Sequence, residues 1–170
     1  MFITTFGQMR QHGFCDHARK KILAALGMTD SGCDDDYPLS LPVILDLIGL
    51  NDAVLCLQAV KGHKEDIRKF AIYGLRKVPE ICQDALSLSA LDIAEGYSRG
   101  DCSKKQLAKA QQYTKIRYNN EYFCSTNNYY LKALWCATTT EHTQIAWAAF
   151  KVYQNVGESR FRRMIIDGSW

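Results

Sequence analysis

Lys64-Glu65-Asp66-Ile67-Arg68-Lys69-Phe70-Ala71-Ile72-Tyr73-Gly74-Leu75-Arg76-Lys77-Val78 is the stretch whose pattern decides the fold class. Ile67, Phe70, Ala71, Gly74, Leu75 and Val78 recur at i, i+3, i+4, i+7, i+8 and i+11, which makes one side of a helix apolar and leaves the other charged. Pro79 disfavours helical geometry in the residue before it, so the helix ends or kinks there. Such a face needs apolar partners, and the flanking segments supply them as more helices.

Upstream, Asn51 is expected to cap a helix over 52–60, where Ala53, Val54, Leu55, Cys56, Leu57, Ala59 and Val60 are apolar nearly all round, as in the centre of a core. Before it, Ser40 caps a helix that starts at Leu41, has Pro42 in its first turn and ends at Gly49. The segment Thr29 to Tyr37 is rich in turn formers and acids and reads as an exposed, mobile loop. Asp16 caps a first helix, 17–26, with Ile22, Leu23 and Leu26 on its apolar face and Gly27 as its stop.

Downstream, Ser87 opens a helix through Leu88, Leu91 and Ala94 that closes near Gly100. Ser103 and Gln106 form a capping box for a long, half-polar helix from Lys104 to about Asn119. A turn is expected near Ser125-Thr126-Asn127, after which Leu131, Leu134 and Trp135 restart a stripe. Thr138 with Glu141 makes a second capping box, ahead of Ile145, Ala148, Ala149 and Val152 at i, i+3, i+4 and i+7. Ala146, Ala148 and Ala149 permit close helix approach, with Trp147 and Phe150 filling the gaps beside them, and Arg160 to Arg163 form a basic tail or last turn. Period-2 alternation is hard to find anywhere. The expectation is therefore an all-α fold, a compact bundle of about seven to nine helices with a C-terminal helical hairpin or layer. It forms a single domain over 1–170, in which short helices over 13–100 build the core and longer ones over 103–165 pack on it.

The bulk numbers agree with one helical domain of 170 residues, 47% of them hydrophobic. The net charge of +3 is too mild to demand nucleic acid or acidic lipid. Seven scattered cysteines, an odd number, cannot all pair, and several sit in apolar stripes; they read as reduced, buried thiols of the cytoplasm. No secretory signal is expected from Met1-Phe2-Ile3-Thr4-Thr5-Phe6, and the longest apolar run, Leu39 to Leu50, is too short and interrupted to span a bilayer.

Several stretches taken in order carry a resemblance: Gly13-Phe-Cys-Asp-His-Ala-Arg-Lys-Lys-Ile-Leu, Leu50-Asn-Asp-Ala-Val-Leu-Cys-Leu-Gln-Ala-Val-Lys-Gly-His, Ile67-Arg-Lys-Phe-Ala-Ile-Tyr, Ser89-Ala-Leu-Asp-Ile-Ala-Glu-Gly-Tyr-Ser-Arg-Gly and Leu107-Ala-Lys-Ala. Together they resemble a family of all-helical immunity proteins of bacteria and phages, over roughly residues 13–156. In the tail the chain departs from that family's alanine runs and carries Tyr, Asn and Thr. The resemblance implies an all-helical fold and a toxin-neutralising or defence-related binding role, in the host cytoplasm if a phage encodes the chain. It brings no catalytic residues with it.

The residues offer little chemistry of their own. His12, Cys15 and His17 with Cys33 are ligand types that zinc favours, but the paired spacing of a zinc site is missing. Cys15 at a helix start, with His12 or His17 as base, is the one candidate nucleophile. Asp34, Asp35 and Asp36 lack the spacing of a calcium loop, and Asp92 with Glu95 reads as solvent-facing charge. We therefore expect no enzyme, no cofactor and no metal. The expected partner is another protein, a toxin or defence component, met by Tyr118, Tyr122, Tyr129 and Tyr130 and by Arg160, Arg162 and Arg163, because tyrosine and arginine favour recognition sites. The alternative is nucleic acid, bound by the basic faces of Lys61, Lys64, Arg68, Lys69, Arg76 and Lys77 with tyrosines stacking on bases; Arg68 and Lys69 otherwise line the edges of the apolar stripe.

Overall fold

A computed structural model describes residues 1–12, 16–121 and 128–167. Its elements run β1 (Ile3–Thr5), α1 (Phe6–Gln11), α2 (Asp16–Ala25), β2 (Pro38–Ser40), α3 (Leu41–Ile48), α4 (Leu50–Leu55), α5 (Lys64–Leu75), α6 (Pro79–Cys82), α7 (Ala85–Arg99), α8 (Lys104–Glu121), α9 (Asn128–Ala137), α10 (His142–Val156) and α11 (Glu158–Asp167). The fold is all-α. Contacts divide it into two compact units: Met1–His63 together with the helix that begins at Glu158, and Lys64–Gly157.

In the first unit β1 and β2 pair antiparallel, Ile3 opposite Ser40 and Thr5 opposite Pro38. Three residues per strand are too few to show alternation, so this ladder was not expected from the sequence. Thr4 points inward and donates its hydroxyl to the Ala59 carbonyl at 2.9 Å. Thr5 caps α1 by accepting from the Gln8 amide at 3.2 Å. Helix α2 buries Ala18, Arg19, Ile22 and Leu23; Leu26, expected on that face, lies past the helix end and is exposed. Helix α3 has Pro42 in its first turn and Gly49 as C-cap, as expected. Asn51 does not cap the next helix, because α4 already starts at Leu50 and Gly49 is its N-cap. Residues 56–59 tighten into a 3-10 turn, and Cys56, Leu57, Ala59 and Val60 are buried. Rather than a basic tail or a last turn, 158–167 forms a separate helix, α11, which buries Phe161, Met164 and Ile165 and links to the first residues through Phe2 N–H and Ile165 O.

The loop expected to be mobile is tied at both ends of its charge. Arg19, itself buried, pairs with Asp30; Arg10 pairs with Asp35 at 2.8 Å; and Gly7 N–H reaches Asp35 O at 2.9 Å.

In the second unit α5 is central, packed by α7, α9 and α10, while α8 packs on α7 and α9. All six stripe residues of α5 and the following turn are buried. Gly74 is needed for the approach of α10: a Cβ there would stand 2.6 Å from Val152 Cβ and 3.0 Å from Val152 O. Val78 is extended, and Pro79 opens α6 at its first position, where no N–H is missed. Ser87 does not open α7. Asp84 does, accepting the Ser87 N–H at 2.8 Å, and Ser87 is buried inside the first turn. Gly100 closes α7 in the left-handed conformation, φ 88°, which only glycine adopts without penalty.

The Ser103 capping box forms as expected, with Ser103 N–H on Gln106 Oε1 at 2.8 Å and Gln106 N–H on Ser103 Oγ at 3.3 Å. The one expected at Thr138 and Glu141 does not. Thr138 instead donates to Trp135 O at 2.7 Å, and Glu141 is the N-cap residue of α10 without a side-chain capping bond. Helices α8, α9 and α10 make the C-terminal layer. Leu107, Ala110 and Thr114 face inward from α8, Leu131 and Leu134 from α9, and Ile145, Ala148, Ala149 and Val152 from α10. The expected turn at Ser125-Thr126-Asn127 lies outside the described residues.

Candidate interaction face

The outward side of that layer is built by the same periodicity that fills its inside. Tyr129, Lys132 and Trp135 are three apart, so each steps back about 60° around α9 and together they form its outer side. On α10 the inward set leaves Trp147, Phe150, Lys151 and Tyr153 half-buried beside the buried alanines. The lysines lie over the rings. Lys132 Nζ is 4.7 Å from the Trp147 centroid, and Lys151 Nζ is 5.2 Å from Trp147, 5.1 Å from Phe150 and 5.2 Å from Tyr129. Phe150 and Tyr153 stack at 5.7 Å. Toward α8, Tyr118 stacks on Trp135 at 5.8 Å, and Lys115 Nζ lies 5.8 Å from the same ring. Tyr129 is 65% exposed and Ile116 51%.

The face is also poor in acid. Between residues 104 and 157 the chain has seven Lys and Arg against two Glu, Glu121 and Glu141. Glu141 is engaged by Gln144 at 2.6 Å.

The four arginines of this unit are arranged differently. Arg68 is wholly buried, donating to Glu65 Oε2 at 2.8 Å, Ala137 O at 2.6 Å and Thr139 O at 2.7 Å, with its guanidinium 5.3 Å from the Tyr97 centroid. It neither lines the stripe edge nor belongs to an exposed basic face, because the carbonyls at the end of α9 need a cationic donor there. Arg76 bridges Asp92 at 2.6 Å and Glu95 at 2.9 Å, so those carboxylates form an ion-pair clamp. Arg99 binds Glu95 and Asp101, and Arg117 binds Asp84 and Ser87. Lys69 lies 3.8 Å from Asp66, Lys64 donates to Thr140 O at 3.3 Å, and Lys77 sits over the Tyr73 ring.

Of the tyrosines expected to meet a partner, Tyr129 is exposed, Tyr118 and Tyr130 are half-buried, and Tyr122 lies outside the described residues. The sequence reading missed Trp135, Trp147, Lys132 and Lys151; their signal was the outward register of α9 and α10 combined with the shortage of acid. Arg160, Arg162 and Arg163 belong to α11 in the other unit, where Arg162 pairs with Asp46 at 2.7 Å and Glu158 at 3.2 Å, and Arg163 is exposed.

Of the zinc and nucleophile candidates, Cys15 lies outside the described residues, His17 is exposed and His12 half-buried. Burial pushes the Cys33 thiol upward, and its Sγ contacts Asp34 O at 3.6 Å. Among the described residues no group of three or more His, Cys, Asp or Glu is placed to hold a metal ion. Asp36 N–H turns onto Asp34 Oδ1 at 3.0 Å. The first unit has an open, polar depression of about 450 Å³ between α1 and this loop, with Lys61 on its wall and neither His nor Cys among the described residues that line it. Burial pushes Cys136 up to about 12, which leaves it protonated and unreactive near neutrality. No helix among the described residues is long and apolar enough to cross a membrane.

An all-α protein with a lysine-covered aromatic face is the class that these observations define. Compared with models of known protein families, with curated proteins and with solved structures, the chain matches none.

Proposed function

We propose that this chain is a non-enzymatic helical binding protein that engages and blocks another protein, in the manner of an immunity or anti-defence factor acting in the cytoplasm. The α8–α10 face carries the reading. Tyrosine and tryptophan dominate binding energy at protein interfaces, since they bury a large area at small entropic cost. Here they are gathered on one side of three helices whose opposite side already fills the core.

The test compares the tagged wild-type chain with a Tyr129→Ala, Trp147→Ala variant in cells of its native host. A stoichiometric protein should be retained by the wild type and lost by the folded variant. Recovery of no partner, or equal recovery by both, removes the reading.

Nucleic acid is the second reading. Its basic face on α5 is weakened by the burial of Arg68 and the pairing of Arg76; what favours it is the closeness of lysines and aromatic rings on α9 and α10. In that case the copurifying species is sensitive to nuclease, and affinity falls steeply with salt.

A further inference from the structure

We infer that the occupant of the α8–α10 face is an acidic segment of a partner protein that also carries apolar side chains. This rests on the protein-binding reading above and adds the chemistry of the partner. Charge complementarity carries it. Every arginine of the second unit has a carboxylate: Arg68 has Glu65, Arg76 has Asp92 and Glu95, Arg99 has Glu95 and Asp101, and Arg117 has Asp84. Lys115, Lys132 and Lys151 have aromatic rings instead, and no carboxylate among the described residues.

A cation on a ring face at the surface keeps most of its hydration and can still take a carboxylate from outside. An arriving Asp or Glu therefore gains an ammonium without having to displace an internal acid. The exposed Tyr129 and Ile116, with the half-buried Trp147 and Phe150, then offer contact to apolar side chains beside the acids. Stacked bases fit less well. Lys132 and Lys151 already occupy the ring faces of Trp147, and three separate lysines on three helices do not make a continuous track for a phosphate backbone.

The test uses the full chain and three fluorescein-labelled probes: a twelve-residue peptide alternating Glu with Leu, the same peptide with Gln for Glu, and a twelve-nucleotide oligothymidine. Anisotropy should show binding of the Glu peptide, weakened by salt, and about tenfold or more weaker binding of the Gln peptide, the scale of one lost charged contact. Lys132→Glu with Lys151→Glu should reduce Glu-peptide affinity by a similar factor. Lys104→Glu with Lys105→Glu, the same charge change at exposed positions of α8, should leave it within about twofold. If the reversal fails to fold by circular dichroism, Lys132→Gln with Lys151→Gln serves in its place.

Absence of Glu-peptide binding, equal loss in the Lys104/Lys105 variant, or tighter binding of oligothymidine overturns the inference. A native partner that is lost by the Tyr129/Trp147 variant but retained by the Lys132/Lys151 variant overturns it too, while leaving the protein-binding reading intact.

Discussion

Arg68 occupies a position that helical periodicity assigns to the margin of a stripe, yet it is fully buried and donates to Glu65 and to the carbonyls of Ala137 and Thr139. A guanidinium can do this because its planar fork serves several acceptors at once, whereas an ammonium is a single compact charge. Removing it leaves a half-buried carboxylate and two inward carbonyls without their donor. Arg68→Ala should therefore cost about 3–5 kcal/mol in urea unfolding. Arg68→Lys should recover only part of that loss, and an Arg68→Ala protein as stable as wild type would contradict the assignment. Nothing local distinguishes Arg68 from Lys69 in the sequence, since each has an acid three residues before it and the carbonyls that Arg68 serves lie about seventy residues away.

Some helix ends follow the local sequence and others do not, and the differences have a common cause. Where the capping partners are close in the chain and no tertiary group competes, as at Ser103 and Gln106, the expected cap forms. Where another group competes, it does not. Thr138 is drawn to Trp135 O and to the hydroxyl of Thr114, and Ser87 is drawn inside by Asp84.

Asp84 also pairs with Arg117. Burial acts to raise its pKa, but the hydrogen bonds from Ser87 and the Arg117 charge outweigh that and hold it below the usual 3.8. A carboxyl with a lowered folded pKa stabilises the protein above its unfolded value, and that stabilisation is lost as pH falls through the folded one. Asp84→Ala should cost about 1–2 kcal/mol at pH 7, with the difference from wild type shrinking below pH 3.8. Urea midpoints at pH 7 and at pH 2.5 measure it, and a pH-independent difference would assign the loss to packing alone.

At the scale of the whole molecule, the return of the C-terminal helix to the first residues is the main departure from a chain that builds steadily from one end. Phe161, Met164 and Ile165 are buried, and Arg162 reaches Asp46. Ending the chain at Gly157 should strip several kcal/mol from the first unit, since each buried side chain of this size contributes about 1.5–3 kcal/mol. Hydrogen exchange should then show lost protection in α1–α4, with α5, α9 and α10 keeping theirs. Equal loss in α5 would show that both units unfold as one.

Local pattern is enough to set the helical class, most of the helices, the burial of the α5 and α10 stripes, the Gly100 stop and the Ser103 cap. Each of these depends on residues within a few turns of one another, where 3.6-residue periodicity and capping chemistry act directly. The pairing of Ile3 with Ser40, the burial of Arg68, the docking of α11 and the placement of lysines over Trp147 arise only in the folded chain. Those depend on groups brought together from distant parts of the chain, or from neighbouring helices whose relative register no local pattern encodes.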